Sequence, residues 1–298
     1  MVDYNQALPQ PTSTSNLSLQ ARRPYAAAGA VTCFCAVGFS NYNGLQTKID
    51  KRTSNGLTFV NAFTYSHAID NGDQSLDFSN GDQASPQNFR DMKDEKGTSN
   101  YDRKFVDIIS VIYDLPVGHG RRYLANSSRA VDTVLGGWEI SAINTAESGL
   151  PINLRAWSGL NVPTAFQTVG NLNDWRGGET YRPMCTGAPL RNTTGADMTL
   201  AYFNTAAVLL QTDPSNPFGN CGRNNLRAPG LNQIDLGIFK SFPLFREGMG
   251  LQFRAELFNA LNHTNFQAPN GDRANSAFGV ITSSFPARIG QLALKLVW

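Results

Sequence analysis

The last ten residues, 289–298, constrain this chain most, because they alternate strictly between two faces. Leu292, Leu294, Leu296 and Trp298 share one parity, while Gln291, Ala293, Lys295 and Val297 share the other. Successive side chains of an extended chain point in opposite directions, so the pattern is that of a strand with one apolar face. About ten alternating residues also match the length a tilted strand needs to cross a bilayer. An aromatic ring in the last position suits burial or a membrane interface. Two readings stay open on this stretch alone. Either Leu292, Leu294, Leu296 and Trp298 face lipid, or the segment is the last strand of a soluble sandwich with one wet face.

The same period recurs upstream. Leu45, Thr47 and Ile49 alternate with Gln46, Lys48 and Asp50. Thr53-Ser54-Asn55-Gly56 follows, and an Asn-Gly pair between alternating segments is a strong hairpin signal. The return strand sets Leu57, Phe59, Phe63 and Tyr65 against Thr58, Val60, Ala62 and Thr64. Residues 104–115 read as a strand ended by Pro116 and Gly118. Residues 137–145 read as its partner, with Trp138, Ile140 and Ala142 outward and Glu139, Ser141 and Ile143 opposite. Ile234, Leu236 and Ile238 begin another strand, and Leu251, Phe253, Ala255 and Leu257 alternate with Gln252, Arg254 and Glu256 in the next. A short strand is also expected within residues 30–37, and a helical turn within residues 202–208.

The links between these strands run short (53–56), long (67–103), medium (116–133), very long (147–231), short (243–250) and long (262–287). In an up-and-down meander alternate links lie at opposite ends of the sheet. Every large loop therefore falls on one side and every tight turn on the other, as in outer-membrane barrels. A Greek-key sandwich has no reason to sort its links this way. The expected fold is an all-β, antiparallel, up-and-down transmembrane β-barrel segment of about seven strands, an incomplete barrel. Residues 1–41 are expected to form an irregular external region, with 3–28 exposed, and 42–298 the barrel wall with its loops.

Composition narrows the function classes. The charged fraction is 16% and the formal net charge +2, and no run of five or six like charges marks a nucleic-acid partner. No stretch approaches the ~18 to 20 continuous apolar residues of a spanning helix, so membrane residence would be through strands. Residues 1–11 lack the basic start and apolar core of an export signal. The chain is therefore expected to be either intracellular or the tail of a longer precursor.

Taken in order, a set of short motifs resembles the carboxyl-terminal barrel of Oar-like TonB-dependent receptors. They are Ser40-Asn41-Tyr42-Asn43-Gly44-Leu45-Gln46, Ser54-Asn55-Gly56-Leu57, Tyr65-Ser66, Asp114-Leu115-Pro116-Val117-Gly118 and Gly136-Gly137-Trp138. Ser148-Gly149-Leu150-Pro151, Tyr202-Phe203-Asn204-Thr205-Ala206-Ala207, Phe218-Gly219-Asn220 and Gly222-Arg223-Asn224 continue the series. Leu226-Arg227, Pro229-Gly230 and Phe258-Asn259-Ala260-Leu261-Asn262-His263-Thr264-Asn265-Phe266 complete it before the terminal strand. The resemblance implies an outer-membrane receptor barrel, usually of about twenty-two strands around a plug, that moves substrate across the membrane. Its implied partners are outer-membrane lipid, the barrel-assembly machinery, the TonB energy system, and plug and barrel strands that this sequence does not show. The ligand is not implied.

Motifs for chemistry are sparse. None of His67, His119 and His263 stands in a metal-ligand spacing or beside a nucleophile motif, so neither enzyme activity nor a cofactor or metal is expected. A soluble all-β binding module and an outer-membrane hydrolase assembled from distant residues remain the alternatives. Cys33 and Cys35 are poorly spaced to bridge each other. Cys185 and Cys221 share the large loop and are the candidate disulfide, with two unrelated thiols as the alternative. Asp70, Asp73, Asp77 and Asp82 lack the spacing of a calcium loop and read as a solvated acidic stretch.

Overall fold

A computed structural model describes residues 2–33, 38–72, 87–88, 90–156, 163, 181–192, 197, 199–243 and 249–297. Seven long strands among these residues form one antiparallel sheet in sequence order. They are β1 (Ser40–Arg52), β2 (Leu57–Asp70), β3 (Phe105–Asp114), β4 (Trp138–Glu147), β5 (Leu231–Pro243), β6 (Gly250–Phe258) and β7 (Ile289–Val297). Each pairs with its sequence neighbours, so the sheet is an up-and-down meander. Among the described residues no pairing joins β1 to β7, which stand at the two edges of the sheet.

The first hairpin shows how local sequence sets the register. Thr53 N–H donates to Leu57 C=O at 2.9 Å, and Gly56 closes the turn at φ +80°, a left-handed conformation that glycine adopts without steric cost. A Cβ there would stand 2.9 Å from the Asp114 Cβ. Beyond the turn, the two-residue period keeps each strand's apolar set on one side.

Cross-strand partners share a face, so the registers assign both faces directly. One row runs Leu57, Tyr113, Ile140, Ile238, Ala255, Leu292. The next row, on the opposite face, runs Thr58, Ile112, Ser141, Gly237, Glu256, Gln291. The first face is predominantly apolar and the second mixed, with small polar residues, charges and Ile108, Ile112 and Ile143.

The core does not lie on this sheet. Among the described residues the fully buried apolar side chains all fall outside the seven strands, and a cluster of Ile152, Leu154, Phe203, Val208, Cys221 and Phe278 sits among the loops. The apolar face of the wall is exposed from Leu45 to Leu296. A soluble sheet buries such a face; a barrel wall turns it to lipid.

Several expectations need correction. Strand β1 begins at Ser40 and β2 continues to Asp70, past the expected ends, because Gly97–Thr98 pairs with the last residues of β2 and extends the ladder. Residues 3–28 are irregular but not simply exposed: Asn5, Gln6, Ala7, Gln10, Arg22 and Arg23 are buried. The Asn5 amide group donates to Tyr25 C=O at 2.8 Å, and Arg23 donates to Asn5 C=O at 2.5 Å. The expected strand near residue 32 is a two-residue ladder of Thr32–Cys33 with Val2–Asp3. The helical turn expected within residues 202–208 is present, as a 3-10 turn over Thr205–Ala207. Cys35, the Cys33 side chain, Asp73, Asp77, Asp82 and Trp298 lie outside the described residues.

Candidate ligand platform at the loop end

The long connections all leave the sheet at the end where β2, β4 and β6 finish. Three arginines tie the first two of them together. Arg223 donates to the Asp70 carboxylate, to Asp70 C=O at 2.7 Å and to Glu95 C=O at 2.9 Å. Arg182 pairs with Asp94 and stands 3.7 Å from the Glu95 carboxylate. Arg227 pairs with Asp102, and donates to Asp102 C=O at 2.9 Å and Gly149 C=O at 3.2 Å. Asp70 is thus the buried partner of a loop arginine, and the expectation that it is solvated fails. Buried charge is tolerated here because Glu95 and Asp102 each meet an arginine and a backbone N–H together, and Asp70 meets Arg223.

Asp102 is the densest junction. Its side chain is fully enclosed, and it accepts from Ala68 N–H at 2.6 Å, from Arg227, and from His67 Nδ1 at 3.3 Å when that nitrogen carries the proton. Burial pushes this carboxyl upward, but the Ala68 amide, the Arg227 guanidinium and His67 outweigh it and hold the group below the usual carboxylate range. Glu95 goes the other way. Its burial dominates the nearby Arg182 and raises its pKa.

Backbone contacts weld the rest. Gln87 accepts from Arg182 N–H and Gly219 N–H, both at 3.2 Å, and donates to Gly219 C=O at 3.0 Å. At Gly149 a Cβ would lie 1.9 Å from the Ala228 carbonyl oxygen, so the chains approach as only glycine permits. Cys185 and Cys221 are joined by a disulfide, their Cα atoms 5.0 Å apart. The third loop joins through Arg273, which donates to Val208 C=O at 2.7 Å, and through the edge-to-face pair of Phe203 and Phe278.

Where this body meets the wall, a cleft of about 400 Å³ is lined by Tyr65, Ser66, His67, Thr98, Lys104, Asn224, Asn225 and Arg227. Two cations, an imidazole, two amides and hydroxyls make it a hydrogen-bonding surface suited to a polar or anionic group. His67 and Asp102 stand as a base and its orienting carboxylate would, but the Ser66 hydroxyl is turned to Arg103 C=O at 2.9 Å. Among the described residues no group of three or more His, Cys, Asp or Glu side chains could hold a metal ion. Leu292, Leu294 and Leu296 lie together on β7 with exposures of 77%, 68% and 45%, five strands along the sheet order from β2, which lines the cleft. The arginine network has no periodic signature, because its partners lie in separate loops; only the recurrence of arginine beside Asn and Gly in the second loop hints at it.

An exposed apolar wall, an up-and-down meander and one end crowned by large loops define an outer-membrane barrel protein. The family model for the outer membrane beta barrel domain matches residues 1–291, and the chain belongs to that family. It is a protein of the bacterial outer membrane. No curated protein matches it.

Proposed function

We propose that this chain supplies barrel wall and external loops to a TonB-dependent, Oar-like receptor that carries a substrate across the outer membrane. The observation that carries the reading is the fusion of three long loops into one braced body over a single end of the wall. Loops that merely connected strands would not need buried ion pairs and a disulfide; a ligand platform has to hold its shape. Binding and passage are assigned to the chain, and catalysis is not. The apolar face, with Leu292, Leu294 and Leu296, is read as facing lipid, and the face with Arg254, Glu256, Gln291 and Lys295 as facing the lumen. The TonB complex and the barrel-assembly machinery are the expected partners.

The test compares growth on a panel of nutrients for strains lacking this gene and strains lacking the TonB complex. The expected result is at least one nutrient whose uptake both losses abolish. Uptake that depends on this gene but continues without TonB would defeat the receptor reading while leaving the barrel intact.

A further inference from the structure

The medium-length connection between β3 and β4 does something that a tight turn does not. It carries helix α1 (Arg129–Leu135), and the position of that helix is fixed by Lys240 of β5. Lys240 is the cross-strand partner of Trp138 and Phe253, so its side chain leaves the sheet on the apolar face. It is 3% exposed, with its ammonium 5.1 Å from the Trp138 ring and 5.2 Å from the Phe242 ring. That ammonium donates to Val134 C=O at 3.2 Å and to Gly136 C=O, while the Trp138 indole donates to Val134 C=O at 2.9 Å. A cation among apolar neighbours is thus satisfied by the carbonyls left open at the end of a helix. The helix must therefore lie over the apolar face, outside the wall, at the end opposite the loop platform.

What this segment presents to its surroundings is amphipathic. Val131, Val134 and Leu135 fall on one side of the helix and are exposed, Val134 at 64%, and Tyr123 and Leu124 are exposed beside them. Arg121, Arg122 and Arg129 are exposed in the same stretch, with Arg122 over the Tyr123 ring. The acidic groups nearby point elsewhere. Asp132 accepts from His119 N–H at 2.5 Å, and Asp114 and Glu139 are cross-strand partners on the other face of the sheet.

We infer that residues 119–137 form a foot that rests in the headgroup layer of the leaflet at the tight-turn end. Leu124, Val131, Val134 and Leu135 enter the acyl boundary, and the three arginines hold anionic phospholipid headgroups. Two observations name the occupant. The exposed apolar side of the foot is continuous with the apolar face of the wall through Trp138, and its free charge is positive, as an anionic lipid surface requires. The inference rests on the reading of that face as lipid-facing.

The experiment places a photoreactive benzophenone residue at Val134, at Leu294 and at Ser110 in the whole gene product in native outer membranes. Adducts are identified by mass. Lipid adducts are expected at 134 and 294 and not at 110, with those at 134 enriched in phosphatidylglycerol relative to those at 294. Replacing the three arginines (Arg121→Gln, Arg122→Gln, Arg129→Gln) should abolish that enrichment and leave the adducts at 294 unchanged. Lipid at 294 with a protein adduct or none at 134 would overturn the foot alone. Equal headgroup composition at 134 and 294 would overturn its preference for anionic lipid. Absence of lipid at 294 would remove the lipid-facing reading, and the foot with it.

Discussion

Arg223 and Asp70, 153 positions apart in the chain, form a buried ion pair that locks the end of β2 to the second long loop. Removing one member of such a pair leaves the other charged and enclosed, at a cost of about 3 to 5 kcal/mol. Arg223→Ala should therefore release the loops from the wall while the strand ladder persists. Limited proteolysis would show new cuts within residues 87–104 and 181–230. A loop region as resistant as that of the parent protein would remove the pair from its bracing role.

Asp102 makes the platform's acid response predictable. Its pKa is depressed in the folded protein, so its contribution is complete above the ordinary carboxylate value and is lost as pH falls through the lower, folded value. Amide protection at Ala68, corrected for intrinsic exchange, should hold from neutrality down to about pH 4 and fall below it. Glu95, raised by burial, works in the opposite sense, and its contribution is lost as pH rises through its folded pKa. Asp102→Asn should weaken local protection by roughly 3 kcal/mol at neutral pH. Protection that already declines between pH 7 and 5 would assign the junction to another group.

The wall was legible in the sequence because its physics is local. The period of two in residues 57–65 and the turn at Asn55-Gly56 need no information from elsewhere, and both appear where they were expected. The platform was illegible because its contacts are not periodic. Asp70 looks like one more acid in a polar stretch until Arg223 arrives from a loop far along the chain. Asn5 and Arg23 sit in a segment without pattern, and bury by bonding to backbone carbonyls that carry no sequence signature. The ends of β2 shifted for the same reason, since Gly97–Thr98 extends the ladder from outside any alternating segment.

The disulfide between Cys185 and Cys221 closes 36 residues of loop. By the chain-entropy account its loss should cost the platform about 3 to 4 kcal/mol. Cys185→Ser with Cys221→Ser should leave the strands' heat resistance unchanged, because both residues lie outside the seven strands, and should open the loop to protease. Non-reducing peptide mapping of the exported protein should recover the bridged pair. Two free thiols there would contradict the bond.

Leu294 and Lys295 are neighbours on opposite faces of β7, and Leu294 pairs with Phe253 while Lys295 pairs with Gln252. Spin labels at the two positions should report lipid contact at 294 and water access at 295. Leu294→Lys should destabilise the inserted wall by roughly 2 to 4 kcal/mol if the site lies near the midplane. A label at 294 that relaxes as freely in water as one at 295 would reverse the assignment of the faces.

The final prediction concerns the two edges of the sheet. Strands β1 and β7 each leave one row of backbone donors and acceptors without a ladder partner among the described residues. In the hydrocarbon layer no water can satisfy those groups, so an open edge cannot persist there. Joining β1 to β7 directly is the shortest remedy, but seven strands in a meander leave the first and last running the same way. That closure would be parallel, with weaker pairing per residue, whereas single-chain outer-membrane barrels are antiparallel and even in strand number. The edges are therefore expected to pair with further strands. Folded by themselves in detergent, these 298 residues should fail to give a heat-resistant, protease-protected species, and should gain that property when further antiparallel barrel strands are supplied to pair both edges. A monomeric closed ring formed from this chain alone, resistant to heat and protease, would show that the sheet can seal itself.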